Sequence, residues 1–228
     1  MRILAIDTAL PAVSVCVLDS SDKTPLASET IAMSRGHAEA IMPMIERVMF
    51  ATSDEFTGID RIAITIGPGS FTGIRVGLAA ARALGLALAK PVVGVSTLHA
   101  FAIPLILAHD PKPMLACIDA RHGNVYAQIF ESAGVDNAPP QFLRLAEAVK
   151  LVGNRTCRVT GNAAELVAAE AKKFGLEFEV CSACLAPAIA HVAFLGLLAE
   201  EGDGRPRPVY LKAVDATPIS GRRSSEFM

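Results

Sequence analysis

Two aspartates follow short apolar segments of the sequence, and their carboxylates are the first candidates for chemistry. Asp7 follows residues 3–6 and precedes Thr8, and Asp119 follows residues 114–118. Carboxylates at equivalent ends of two strands, one in each half of the chain, can hold Mg²⁺ beside a phosphate, because hard cations prefer oxygen ligands. The same residues can also do no more than end two strands, and the sequence alone leaves both interpretations open.

A glycine-rich segment, residues 67–73, connects a buried apolar run to a long helical pattern. Glycines between a strand and a helix expose backbone N–H groups, and the helix dipole adds positive charge there. Gly67, Gly69 and Ser70 are therefore candidates for phosphate binding, and together with Asp7, Thr8 and Asp119 they form the predicted nucleotide site. The segment is neither a Walker loop nor a G-x-G-x-x-G motif. A tight strand-to-helix connection with Ser70 as the N-cap explains it equally well.

The other reactive residue types form no constellation typical of catalysis. The histidines include no pair three or four residues apart, and no G-x-S-x-G nucleophile elbow is present. Cys181 and Cys184 form a lone C-x-x-C without the second ligand pair that a zinc site needs. An odd number of cysteines, five, indicates reduced thiols. We therefore predict no catalytic residue and no metal ligand.

Apolar periodicity predicts the elements that must position these residues. Strands are predicted at about residues 3–8, 13–18, 26–32, 61–66 and 91–95, and helices at 34–50, 71–89 and 96–108. The second half then repeats the first, because residues 114–119 match residues 2–7 at an offset of 112. At that offset the strand that follows matches too, with Val13, Val15 and Val17 falling on Val125, Ala127 and Ile129. The pattern favours a duplicated α/β fold, although unrelated amphipathic hairpins can align this well.

Two helices have compositions that favour a protein–protein interface. Small residues at every fourth position of a helix let another helix approach closely. The helix at 71–89 carries such a series: Gly73, Gly77, Ala81 and Gly85. The apolar arc of the helix at 34–50 is wider than one sheet requires, and its methionines suit an adaptable surface. From this helix we predict the interface residues Ala38, Met42, Ile45 and Met49. A single buried helix also explains the wide arc.

Composition excludes several classes of protein. With 52% hydrophobic residues and a net charge of −2, the chain is not intrinsically disordered and lacks the basic surplus needed to grip RNA by itself. The best candidate for a membrane span, residues 76–98, contains Arg82, Lys90 and Pro91, which argues against a spanning helix. The early Asp7 argues against a secretory signal. We expect a cytoplasmic protein without membrane attachment.

Four segments together resemble the TsaB (YeaZ) family of bacterial tRNA threonylcarbamoyladenosine biosynthesis proteins. They are residues 4–8 (LAIDT), 35–39 (RGHAE), 67–77 (GPGSFTGIRVG) and 208–212 (PVYLK). The resemblance implies the duplicated ASKHA fold of actin, sugar kinases and Hsp70, with two lobes that each have a mixed sheet and flanking helices. We accordingly expect lobes at 1–110 and 111–212, a helix at 187–201 that packs back on the first lobe, and a flexible tail at 213–228.

The same resemblance implies a function. Family members bind the catalytic TsaD subunit through helices that correspond to 34–50 and 71–89, and the ATPase TsaE joins them. TsaD-type chains carry a metal-binding H-x-x-x-H pair starting near His37, and here Ile41 occupies the second position. The resemblance thus implies a non-catalytic subunit that activates TsaD for threonylcarbamoyl transfer to adenosine next to the tRNA anticodon. It also implies that tRNA is met only through the complex, and a homodimer is a further expectation for the chain alone.

For a non-catalytic subunit we expect no cofactor. Two enzymatic alternatives compete with this interpretation. A stand-alone ASKHA ATPase or kinase would use Asp7, Asp119 and the 67–73 loop, with ATP or ADP and Mg²⁺ as cofactors. Against it, residues 7–11 contain no glycine where a phosphate would meet the backbone. A metallopeptidase, an older assignment in this superfamily, would need H-E-x-x-H or a close histidine pair, and the sequence has neither.

Overall fold

A computed structural model describes residues 1–52, 56–109, 111–131, 138–200 and 206–212. Each half of the chain begins with three strands and continues with alternating helices and strands. The first half consists of β1 (Arg2–Asp7), β2 (Ala12–Asp19), β3 (Ala27–Ala32), α1 (His37–Ala51), a 3₁₀ turn (Phe56–Gly58), β4 (Arg61–Gly67), α2 (Phe71–Leu88), β5 (Val92–Ser96) and α3 (Thr97–Leu107). The second half consists of β6 (Met114–Arg121), β7 (Asn124–Phe130), β8 (Gln141–Arg144), α4 (Leu145–Val152), β9 (Cys157–Thr160), α5 (Ala164–Lys172), β10 (Phe178–Ser182) and α6 (Ile189–Leu198).

The two halves form five-stranded sheets with the same strand order. The first sheet runs β3-β2-β1-β4-β5 and the second β8-β7-β6-β9-β10. In each sheet the first three strands are antiparallel neighbours. The last two strands lie parallel to the first, because helices carry the chain back between them. The shared order confirms the duplicated α/β fold with a mixed sheet in each lobe.

The last helix of each half covers the sheet of the other half. α6 packs on β1, β2 and β4 of the first sheet, and α3 packs on β6 of the second. Gly196 allows the close approach of α6, since a Cβ there would lie 2.5 Å from that of Ala63. Arg61 fixes the end of α6, because its Nη1 donates to the carbonyl oxygens of Gly196 and Ala199 at 3.0 and 2.8 Å. The expected lobe limits at 110 and 212 stay predictions, and the tail at 213–228 lies outside the described residues.

The two helices predicted to form an interface, α1 and α2, have different N-terminal caps. α1 begins at His37 rather than at residue 34, because Gly36 adopts the left-handed conformation (φ 86°) as its N-cap. α2 begins as predicted after Ser70, whose side-chain oxygen accepts from the Gly73 N–H at 3.2 Å. In the described part of the chain, α2 alone has the length and apolar composition to cross a membrane. Its inward residues, such as Ile74, pack in the core of the first lobe instead.

The side chains of β6 show that the offset of 112 between the repeats is wrong by one residue in the first strand. Leu4 and Ile6 of β1 belong to the core under α1 and α2. The β6 residues in the core under α4 and α5 are Leu115 and Cys117. Because side chains alternate along a strand, equivalent positions of β1 and β6 are 111 residues apart.

The hairpin register supports this correction. Ile6 pairs with Val15 in the first lobe, and Cys117 pairs with Ala127 in the second. The offset is therefore 111 in the first strand and 112 in the second. The second hairpin has one more residue between these paired positions, where the pairing of β6 shifts between Asp119 and Arg121. The predicted match of β2 with β7 holds, whereas the ungapped match of the whole hairpin does not.

Candidate functional site

The predicted nucleotide site lies where the two lobes face each other. The turn after β1, the N-terminal ends of α1 and α2 and the end of β6 surround a cleft of about 250 Å³. Gly69, Ser70 and Asp119 line this cleft together with His37 and Arg121. Half of the predicted residues are thus brought together, and the remaining three do not line the cleft: Asp7, Thr8 and Gly67.

Asp7 is fully buried at the end of β1. Its Oδ1 accepts hydrogen bonds from the Thr65 hydroxyl at 2.5 Å and from the Ala9 N–H at 2.9 Å. Oδ2 has no hydrogen-bond partner among the described residues. Burial raises the pKa of this carboxyl, because loss of water outweighs the hydrogen bonds and the nearby His37, which favour the ionised form. Such a carboxyl orders the turn after β1 and is poorly placed to bind a solvated metal–phosphate.

The glycine-rich loop packs tightly against the same turn. A Cβ at Gly69 would overlap the carbonyl oxygen of Ala9, and a Cβ at Gly73 would overlap that of Thr8. The Ser70 N–H donates to the Ala9 oxygen at 2.7 Å, and the Thr8 hydroxyl donates to the Gly73 oxygen at 2.7 Å. Glycine is required here for close backbone approach. These contacts favour the tight connection over the anion site, because the Ser70 N–H is already occupied.

Asp119 is exposed at the end of β6 and is not the counterpart of Asp7. With the strand offset of 111, it takes the position that Thr8 has in the first lobe. Its Oδ1 accepts from the Arg121 N–H at 2.7 Å, and its own N–H donates to the side chain of Asn162 at 2.8 Å. The expectation of two carboxylates at equivalent strand ends, which motivated the nucleotide site, is therefore wrong.

His37 and Ile41, at the positions of the histidine pair of TsaD-type chains, make structural contacts rather than a metal site. Nε2 of His37 lies 3.1 Å from the carbonyl oxygen of Leu10. Ile41, one turn later, is buried in the core of the first lobe. Across the ranges that the structure describes, no group of three or more His, Cys, Asp or Glu side chains is placed to hold a metal ion. His37 thus links the start of α1 to the turn after β1.

The cysteines are divided between core and surface. Cys16, Cys117 and Cys157 are buried, and burial raises the pKa of Cys16 and of Cys157 to about 12. Cys181 is half-buried, with its sulfur 3.2 Å from the Nε of Arg158, and Cys184 is exposed. The three buried thiols stay protonated at neutral pH and act as small core side chains.

Six of the eight residues predicted to face a partner are buried inside this chain. The two from α1 lie in the core beneath that helix: Ile45 and Met49. The four from α2 lie on the side of that helix that faces the first sheet: Gly73, Gly77, Ala81 and Gly85. The interface prediction is wrong for these six residues. The small residues of α2 admit the chain's own strands, since a Cβ at Gly85 would overlap the side chain of Val92. Of the predicted set, Ala38 and Met42 are exposed.

Other residues of the same two helices form an exposed apolar surface. Phe50 of α1 is 88% exposed and Leu86 of α2 is 76% exposed. Ala79 and Ala83 are exposed on α2, on the side of the helix away from the sheet. We call Met42, Phe50, Ala79, Ala83 and Leu86 the outer helix face. The sequence signal for this face is a second series of alanines at four-residue steps, at positions 79, 83 and 87, which the predicted interface did not include.

Comparison with known proteins finds relatives over most of the chain. The family model for TsaD, tRNA N6-adenosine threonylcarbamoyltransferase, matches residues 30–200. The tRNA threonylcarbamoyladenosine biosynthesis protein TsaB of Escherichia coli is 40% identical over 126 residues, 55% of this chain and 53% of that protein. TsaB of Haemophilus influenzae is 35% identical over 126 residues, 55% of this chain and 52% of that protein. The chain spans about half the length of the curated relatives it matches.

A solved structure shares the fold along nearly the whole chain. YeaZ from Pseudomonas aeruginosa has a TM-score of 0.74 and 24% identity, with 92% of this chain and 99% of that chain covered. At this identity the likeness establishes the fold alone. Together with the repeated strand order, it identifies the two-lobed, duplicated ASKHA-like arrangement.

Proposed function

We propose that this chain, which belongs to the TsaD family and within it to the TsaB (YeaZ) group, is a subunit of the machinery that forms threonylcarbamoyladenosine in tRNA. In this proposal the chain is not the catalyst. It binds a TsaD-like subunit and activates it for threonylcarbamoyl transfer to adenosine next to the anticodon. Activation requires contacts that differ between the inactive and active states of that subunit.

The observation that carries the proposal is the outer helix face. Two large apolar side chains, Phe50 and Leu86, are exposed on the pair of helices that the family resemblance links to the partner. The exposed Ala79 and Ala83 leave room for a partner helix to approach α2 closely. Exposed apolar surface of this kind marks interaction sites, and large side chains that enter a partner carry much of the binding energy.

The geometry of the cleft supports a non-catalytic role. A stand-alone ATPase or kinase would need Asp7 and the glycine-rich loop to meet a metal-bound phosphate. Asp7 is fully buried, and the loop is closed against residues 8 and 9. Asp119 is accessible but has no matching carboxylate in the first lobe at the equivalent position. These features weaken the enzymatic alternative.

The remaining partners follow from the same proposal. A TsaE-like ATPase joins the pair, and tRNA is met through the complex rather than by this chain alone. The net charge of −2 supports the last point, because binding of RNA phosphates needs a surplus of lysine and arginine. In the absence of its partner the chain forms a homodimer through the outer helix face. The place of action is the cytoplasm.

Reconstitution tests the proposal. Purified TsaD-like and TsaE-like subunits, tRNA and threonylcarbamoyl-adenylate are combined with and without this chain, and radiolabelled threonine in tRNA is counted. We expect incorporation to depend on the chain, and we expect the chain alone to hydrolyse no ATP. Equal incorporation with and without it would refute the proposal. ATP hydrolysis by the purified chain that is lost in Asp7→Ala would establish the enzymatic alternative.

A further inference from the structure

A second cavity, of about 430 Å³, lies between α2 and the segment 206–212. It lies on the opposite flank of α2 from Val76, which faces the start of α1. The segment is fixed in place, because the Val209 N–H donates to the Ile66 oxygen at 2.8 Å and Nη2 of Arg82 donates to the Pro206 oxygen at 2.5 Å. The cavity therefore has a rigid wall on each side.

An aromatic pair and an arginine form the rim of this cavity. The rings of Phe71 and Tyr210 are 5.0 Å apart, and the guanidinium carbon of Arg75 lies 4.8 Å from the centre of the Phe71 ring. A guanidinium that stacks on a ring keeps its N–H groups free at the edge, in the geometry that binds a carboxylate with two hydrogen bonds. The described residues that line the cavity, which include Leu78 and Pro208, contain no carboxylate. The site thus offers positive charge beside apolar surface.

We propose that this cavity receives an acidic side chain and a neighbouring apolar side chain from the TsaD-like subunit, and that it is the charged anchor of the interface. This inference rests on the function proposed above. Ala79 lines the cavity and also belongs to the outer helix face, so the two surfaces are continuous. Burying one charged pair in the interface would fix the orientation of the partner on α2.

A protein segment fits this cavity better than an RNA segment. Sequence-tolerant RNA binding depends on aromatic rings with open faces on which bases stack. Here Arg75 and Tyr210 already pack on the Phe71 ring. The lining also includes the apolar side chains of Leu78 and Pro208, which match a partner's aliphatic side chain. Arginine and tyrosine are the residue types enriched at energetic centres of protein interfaces.

Calorimetric titration with the TsaD-like subunit of the same organism tests the inference. The full chain is compared with Arg75→Glu and with the control Lys150→Glu, which makes the same charge change at an exposed position of α4. We expect Arg75→Glu to weaken binding at least tenfold and Lys150→Glu to bind within twofold of the wild type. Arg75→Lys, which keeps the charge but loses the planar fork, should bind with intermediate affinity. Circular dichroism establishes that each variant is folded.

The outcomes separate this inference from the proposed function. Binding by Arg75→Glu and Arg75→Lys at wild-type affinity would overturn the cavity as an anchor and leave the subunit role intact. Failure of the wild type to bind would refute the subunit role itself. Unchanged affinity for the partner combined with weaker tRNA binding by the complex would assign the cavity to RNA phosphate, against the inference. Loss of a homodimer in Arg75→Glu, with partner affinity unchanged, would assign it to a second copy.

Discussion

Replacing Gly77 with alanine tests whether the small residues of α2 face the chain's own sheet. At an exposed helix position this replacement adds about 1 kcal/mol of stability, because glycine is the poorer helix former. At Gly77 the new methyl group would overlap the hydroxyl of Thr8 and lie 2.8 Å from Cδ1 of Ile64. The structure therefore predicts the opposite sign.

No single flexible side chain can relieve this overlap. Thr8 is fully buried and its hydroxyl donates to the Gly73 oxygen at 2.7 Å, and Ile64 is packed in the core. Overpacking costs about 1–3 kcal/mol, and disturbing a buried hydrogen bond costs about 1–3 kcal/mol more. After the gain in helix propensity is subtracted, we expect the free energy of unfolding to fall by about 3 kcal/mol.

Urea unfolding followed by circular dichroism measures this change. Ala83→Leu on the outer helix face is the control, and we expect its free energy of unfolding to stay within about 0.5 kcal/mol of the wild type, because the position is exposed. If Gly77→Ala is as stable as the wild type, or more stable, the inward orientation of the small residues of α2 is refuted. A large loss in both variants would show that α2 tolerates no change on either side.

Three further predictions concern buried polar groups and thiols. Burial raises the pKa of Asp7 above its usual value, so its ionisation disfavours folding as pH rises above the unfolded-state pKa. Asp7→Asn, which keeps an acceptor for Thr65, should therefore match or exceed wild-type stability at pH 7, with the difference shrinking towards acid pH in urea titrations. A clearly less stable Asp7→Asn at pH 7 would contradict this. Arg61→Ala should lower the free energy of unfolding by about 2–4 kcal/mol, because charged hydrogen bonds to the end of α6 are lost. A thermal unfolding experiment that gives a decrease of less than about 0.5 kcal/mol would contradict this prediction. A thiol reagent should modify Cys184 rapidly and the three buried cysteines only after addition of urea, and rapid reaction of all five would contradict the burial.

The small residues of α2 illustrate how far the sequence predicts the fold and the site. Their four-residue spacing correctly indicates that something approaches the helix closely. It does not indicate what approaches, because a strand of the same chain and a helix of another chain both require a surface without large side chains. The contact between Thr8 and Gly73 that decides the matter joins residues 65 positions apart. Only the three-dimensional arrangement gives that information.

The hairpins show a similar limit. The repeated pattern predicts the duplicated fold correctly, since it depends on the order of strands and helices. The position of Asp119 relative to Asp7 depends on one extra residue in the second hairpin, where the pairing of β6 shifts between Asp119 and Arg121. A shift by one residue moves a side chain to the other face of a strand. The apolar pattern alone cannot fix that register. The sequence therefore predicts the fold correctly but assigns Asp7 and Asp119 wrongly to equivalent positions.

The central claim is that this chain acts by presenting the outer helix face to a TsaD-like subunit. The most direct measurement is the affinity of that subunit for the wild-type chain and for Ala83→Leu, determined by calorimetric titration. A leucine at position 83 fills the space that a partner helix would occupy without disturbing the fold. We predict that the wild type binds as a one-to-one complex and that Ala83→Leu binds at least tenfold more weakly. Equal affinities for the folded wild type and variant would contradict the claim.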